Sequence, residues 1–188
     1  MEKRWEQIQE DIESCFKCGE SGFREVLCKR AKKHPSEEPS NVKILFVSEA
    51  PPASGHYFYD ETRSDGLREK LFPLLRDVGF ETYTIPNFLA NGFYLVPTVK
   101  CPSGKPSMNM GQINNLRPRT SVIKLCVRHL ARELAFIKPK RIVLLGGKAL
   151  EGCSRILSGL HRDSVERARK NSPVVASLLD LTFEVYPS

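Results

Sequence analysis

Val42-Lys43-Ile44-Leu45-Phe46-Val47, running straight into Ser48-Glu49-Ala50-Pro51-Pro52, is the stretch on which the fold turns. The first six residues are apolar apart from Lys43 and rich in β-branched side chains, as expected of a strand covered on both faces. The two prolines then stop it. Downstream, Leu67, Leu71, Leu74, Leu75 and Val78 share one face of a helix expected from about Asp65 to Val78, with Gly79 as its stop. A second strand is expected over Phe93 to Val99 and a long irregular insertion over Ser103 to Arg119. The longest amphipathic helix runs from Thr120 to Ile137 and closes at Lys138-Pro139. Arg141 to Leu145 reads as a third strand, Gly146-Gly147 opens a helix to about Leu157, another helix is expected near Asp163 to Lys170, and Leu181 to Val185 is the last strand. At the start, Trp5, Ile8 and Ile12 mark a short helix over Trp5 to Ser14.

Strands alternating with helices give an α/β chain, a three-layer α/β/α sandwich on a central four-stranded parallel sheet joined by right-handed crossovers. In such sheets ligands bind beyond the carboxyl ends of the strands, where Ser48 to Pro52 and Tyr186-Pro187-Ser188 fall.

The chain has 188 residues, 40% of them hydrophobic, enough for one domain with a substantial core. A single domain over residues 1–188 is expected, with 1–40 as an N-terminal helix and metal-binding segment. The formal net charge of +7 favours an acidic partner, of which nucleic acid is the commonest. The start carries no apolar core of a secretory signal, and no window is apolar enough to span a membrane, so the reading is cytoplasmic, monomeric and without a membrane partner. Six cysteines in a reducing compartment point to metal binding or burial before disulfides.

Cys15 and Cys18 form a C-x-x-C pair, Cys101 follows the second strand, and Cys126 sits in the long helix. Thiols from three separate segments make sense around a soft metal centre, iron–sulfur or zinc. The competing reading is that Cys101 and Cys126 are ordinary buried thiols. The stretch Cys28 to Ser40, charged and broken by prolines, reads as a solvated loop.

Taken in order, these motifs resemble the uracil-DNA glycosylase superfamily, most closely its iron–sulfur branch, sometimes called family 4. That branch carries C-x-x-C, a strand followed by G-E-A-P-G, a strand ending in K-C-x-P, a helix bearing the fourth cysteine, a strand ending in L-G-x-x-A, and a last strand ending in H-P-S. The matching positions are Cys15 and Cys18, Ser48-Glu49-Ala50-Pro51-Pro52, Lys100-Cys101-Pro102, Cys126, Leu145-Gly146-Gly147-Lys148-Ala149 and Tyr186-Pro187-Ser188. The resemblance implies a [4Fe-4S] cluster, with zinc as the alternative, held by Cys15, Cys18, Cys101 and Cys126 in a structural role. Cys28 and Cys153 have no counterpart and read as unremarkable thiols.

The resemblance also implies hydrolysis of the N-glycosidic bond of uracil or another deaminated base, in single-stranded or duplex DNA, after the base is extruded. Glu49 matches the water-activating carboxylate, Ala50 and Pro51 belong to the same base-contacting loop, and Phe58 of Tyr57-Phe58-Tyr59 is the expected stacking ring. Tyr186 and Ser188 fall at the H-P-S motif. There Tyr186 replaces a histidine and can donate a hydrogen bond without supplying positive charge. Pro97 falls where the family has an asparagine that reads the base edge, so Asn87 is a candidate replacement, and His56 a candidate for the missing histidine. Both losses support an alternative, a non-catalytic iron–sulfur protein binding nucleic acid through Lys29, Arg30, Lys32, Lys33, Arg117, Arg119, Arg128 and Arg132. A zinc-stabilised protein of unrelated activity is a third reading.

Overall fold

The computed structural model describes residues 4–28, 38–54, 57–106, 113–161 and 173–187. The central sheet is built from β1 (Ile44–Ser48), β2 (Phe93–Pro97), β5 (Arg141–Leu144), β6 (Val174–Leu178) and β7 (Leu181–Pro187), in the order β2-β1-β5-β7-β6. Four of these are parallel, as the sequence implies. The fifth, β6, is an addition to the four-stranded expectation and pairs antiparallel with β7. Only Leu179 and Asp180 separate the two, and so short a turn can join only antiparallel neighbours. Strand β6 buries Ala176 alone, so it carries no alternating apolar signature.

The pleat explains the three layers. Leu45 and Val47 of β1 and Tyr94 and Val96 of β2 point into one core, packed on Ile8 and Ile12 of α1 (Trp5–Glu13), Leu130 and Leu134 of α5 (Thr120–Ile137) and Leu150 of α6 (Gly147–Cys153). Their neighbours Phe46, Phe93 and Leu95 face the opposite way, onto Leu71, Phe72 and Leu75 of α3 (Arg68–Asp77) and Phe88 of α4 (Ile85–Ala90). Successive residues of a strand alternate faces, so one continuous apolar run supplies both cores.

Helix α3 starts three residues later than expected, at Arg68, after a turn in which the Asp65 carboxylate accepts from the N–H groups of Leu67 (3.1 Å) and Arg68 (2.8 Å). Two short helices went unforeseen, α2 (Lys17–Glu20) and α4, the latter capped by Thr84 with Pro86 in its first turn. The expected insertion contains a small antiparallel pair, β3 (Gly104–Pro106) and β4 (Ile113–Asn115). The helix expected near Asp163 to Lys170 falls outside the described residues, as does most of the Cys28 to Ser40 loop.

Candidate active site and thiol cavity

The loop after β1 is held in place by backbone geometry. The Thr98 N–H and hydroxyl both donate to the Ser48 carbonyl at 2.8 Å, and the Val99 N–H donates to the Glu49 carbonyl at 3.1 Å. Further along, the Ala53 N–H donates to Asn115 Oδ1, tying the loop to β4. Gly104 makes this approach possible, since a β-carbon there would stand 2.8 Å from the Ala53 methyl and 2.5 Å from Ile113 Cγ2.

Two cavities open beside this loop at the carboxyl end of the sheet. The larger, about 470 Å³, has a mixed lining whose polar members include Glu49, Ser54, Asp65, Glu69 and Asn115. The Glu49 carboxylate is partly exposed and lies 3.4 Å from the Arg117 guanidinium. The smaller, about 60 Å³, is bounded by Pro51, Pro52, Phe58, Asp65, Leu95 and Pro97. Ala50, Pro51, Pro52 and Asp65 border both.

Phe58 lines the smaller cavity from within an aromatic cluster, its ring centre 5.1 Å from Tyr59, 5.3 Å from Phe88 and 5.9 Å from Phe72. Arg68 of α3 fastens this segment by donating to the Phe58 and Asp60 carbonyls. The structure thus brings Glu49, Ala50, Pro51 and Phe58 together. It places Asn87 elsewhere, on α4, where its backbone N–H and its side-chain oxygen both bond the Thr84 hydroxyl. Tyr186 lines neither cavity, and its hydroxyl donates to Glu184 Oε2 at 3.2 Å, beside the Arg141–Glu184 ion pair. Ser188 and His56 lie outside the described residues.

A separate cavity on the α5 side is lined by Cys15, Cys18, Cys28, Cys101 and Cys126, with His129 beside them. Cys18 comes from α2, Cys101 from the loop after β2 and Cys126 from α5, and Cys15 is the least buried of the five. The Lys100 N–H donates to Cys126 Sγ and the Arg128 guanidinium to Cys15 Sγ, both at 3.2 Å. Burial, reinforced by Cys126, Cys28 and Cys15, pushes the Cys18 thiol up to about 12. Burial likewise raises Cys126, against the pull of the Lys100 N–H and ammonium. As free groups Cys18 and Cys126 are therefore protonated at neutral pH, and a metal would have to displace those protons. His129 is 2% exposed with neither ring nitrogen bonded among the described residues. Burial first, then Arg128, Lys100 and Arg132, lower it to about 3, so the imidazole is neutral.

The sequence reading missed Cys28, which shares this cavity. Its only signal was its distance of ten residues from Cys18. Cys153 is buried in the main core with its thiol pushed up by burial to about 12, matching the reading of an inert side chain. Among the described residues, no group of three or more His, Cys, Asp or Glu converges on a single-ion position.

The family model for the uracil DNA glycosylase superfamily matches residues 35–183, most of the chain. The chain belongs to the uracil-DNA glycosylase superfamily. A search of curated proteins finds no match. Membership in the uracil-DNA glycosylase superfamily supports a DNA glycosylase-like function with DNA as substrate, and the cavities beside Glu49 occupy the end of the sheet where α/β folds bind ligands. The matched region starts after Cys15, Cys18 and Cys28. Among the described residues no helix is long and apolar enough to cross a membrane. Of the four described arginines proposed above as nucleic-acid contacts, each has an intramolecular partner: Arg117 with Glu49, Arg119 with Glu25, Arg128 with Cys15 and Arg132 with Asp11.

Proposed function

We propose that this monomeric, cytoplasmic protein is a DNA glycosylase that removes uracil or another deaminated base by hydrolysis of its N-glycosidic bond, the first step of base-excision repair. The observation that carries the reading is that Glu49, Ala50, Pro51 and Phe58 meet around adjoining cavities at the end of the parallel sheet. An extruded base enters the smaller cavity against the Phe58 ring, with Pro51, Pro52 and Pro97 excluding water from its faces. The sugar is then left beside the larger cavity and Glu49.

As the bond from C1′ to the base nitrogen breaks, its electron pair leaves with the base and positive charge develops on the sugar. A water held by Glu49 adds its oxygen to C1′ and passes a proton to the carboxylate. Arg117 orients Glu49 from the solvent side. The reading leaves Tyr186 a role in stabilising the departing base only if its hydroxyl exchanges Glu184 for the base. This is a weaker donor than a cationic imidazole.

The residues of the thiol cavity suit a [4Fe-4S] cluster in their chemistry: thiols from separate segments line one cavity, with N–H donors aimed at two sulfurs. Cys15, Cys18, Cys101 and Cys126 would hold it. Bound there, the cluster supplies a cross-link between the N-terminal segment, the loop after β2 and α5, and base excision needs no electron from it. A mononuclear zinc would instead draw four donors tightly around one point. Six free thiols accord with a reducing compartment.

The test is base release. Purified protein is incubated with single-stranded and duplex DNA containing uracil, hypoxanthine or xanthine, and abasic sites are counted. Release of at least one of these bases is expected. The involvement of Tyr186 with Glu184 favours a second reading, a non-catalytic DNA-binding protein of the same fold. Salt-dependent DNA binding without abasic sites would select it.

A further inference from the structure

Pro97 leaves the smaller cavity without the side-chain amide that could read a base edge, and among the polar residues buried in its wall, Ser48 and Asp65, only Asp65 carries a charge. Asp65 is 5% exposed and borders this cavity together with Phe58 and Pro97. Its Oδ1 is committed to the Leu67 and Arg68 N–H groups at the start of α3. No described group hydrogen-bonds Oδ2. Oδ2 is not sealed off from solvent, so it can accept a hydrogen bond from a ligand in the cavity that Asp65 lines. The same helical turn fixes the facing ring, because Arg68 grips the Phe58 and Asp60 carbonyls. Asp65 and Phe58 are therefore held as one rigid unit across the cavity.

We propose that Asp65 Oδ2 is the group that reads the pairing edge of the extruded base, accepting a hydrogen bond from a ring N–H. The inference rests on the glycosylase reading and names its substrate class, bases carrying a lactam N–H. A carboxylate is acceptor-only, so it favours a donor and repels a lone pair. Deamination makes that change. Cytosine presents a bare N3, and uracil presents N3–H; adenine presents a bare N1, and hypoxanthine presents N1–H. The parent bases keep an exocyclic amino group that can also donate to a carboxylate, so the contact Asp65 makes is isolated by methylating the ring N–H.

The experiment measures binding of the full chain to single-stranded oligonucleotides with one 2′-fluorinated nucleotide whose glycosidic bond resists cleavage. The base is uracil or N3-methyluracil, and a third oligonucleotide has no base at that position. Wild type should bind uracil about tenfold or more tighter than N3-methyluracil, the scale of one hydrogen bond to a charged acceptor. Asp65→Asn keeps an oxygen for the Leu67 and Arg68 N–H groups but makes the second position a donor, and Asp65→Ser keeps one such acceptor with no second. Both should retain the thermal midpoint and lose the preference. Equal preference in wild type and both variants, or no preference for uracil over N3-methyluracil in wild type, overturns the role of Asp65 and leaves the glycosylase reading standing. Wild type binding uracil no better than the oligonucleotide without a base overturns the role of Asp65, whereas the glycosylase reading falls only if no abasic sites form in the base-release assay.

Discussion

Gly152 of α6 and Thr98, one residue past β2, are packed so closely that a β-carbon on the glycine would stand 2.2 Å from the threonine Cγ2. Thr98 is fully buried and its hydroxyl holds the Ser48 carbonyl, the residue before Glu49. A single missing methyl therefore lets α6 seat against the strand end that carries the candidate active site. Gly152→Ala should cost about 1–3 kcal/mol through overpacking and lower base release as the Ser48 clamp shifts. Thr98→Ser removes the clashing methyl and keeps the hydroxyl, so the double variant should recover stability. Thermal denaturation of the three variants checks this.

Glu151, next along the same helix, is 2% exposed and faces Lys148 at 2.9 Å and Arg155 at 3.4 Å. Burial pushes its carboxyl up, but hydrogen bonds from Thr120 and Lys148 and the Lys148 charge outweigh it, and the group falls from 4.5 to about 2. A carboxylate depressed by folding stabilises the native state above its unfolded value. That contribution should be present above about pH 4.5 and disappear as pH falls towards 2. Denaturant midpoints across this range should fall less steeply for Glu151→Gln than for wild type.

Lys100 and Glu133 form an ion pair with both side chains buried, at 5% and 2% exposure, and the Lys100 ammonium also donates to the Pro97 carbonyl. Breaking one side leaves a buried charge without its counter-ion. Glu133→Gln is expected to destabilise by about 3–5 kcal/mol, and Lys100→Met with Glu133→Leu together by much less. Urea unfolding of the single and double variants measures the difference.

The thiol cavity has its own test in metal content. Anaerobically reconstituted wild type should be brown and hold about four irons per chain, and serine at Cys18, Cys101 or Cys126 should abolish this. Serine at Cys153, buried in another core, should leave iron unchanged. The Cys15 and Cys28 variants decide the fourth ligand: loss of iron in Cys15→Ser with retention in Cys28→Ser is expected, and the reverse would assign Cys28.

What was legible in the sequence follows from where burial writes a pattern. Both cores are encoded in Ile44 to Val47 and Phe93 to Val96, because strands covered on two faces are continuously apolar. The amphipathic face of α5 is equally plain, down to Cys126 on its buried side. Strand β6 was hidden because an edge strand with one buried residue has no such run. At the site, the Glu49 loop was legible as a motif after a strand, whereas Asn87 was suggested only by nearness in sequence and the fold spends it on Thr84. Asp65 looked like the start of a helix and instead precedes α3 by three residues, its carboxylate bonding the N–H groups of Leu67 and Arg68. That Asp65 borders a cavity with Phe58 depends on the approach of two loops that no local pattern records.

The most direct measurement is the single-turnover rate of abasic-site formation by wild type and Glu49→Gln, on DNA containing the base that wild type releases best among uracil, hypoxanthine and xanthine. Removing the carboxylate that activates water should slow the reaction by about a hundredfold or more while DNA affinity is retained. Equal rates in the two proteins, or no abasic sites from wild type on any of the three bases, would contradict a hydrolytic site built around Glu49.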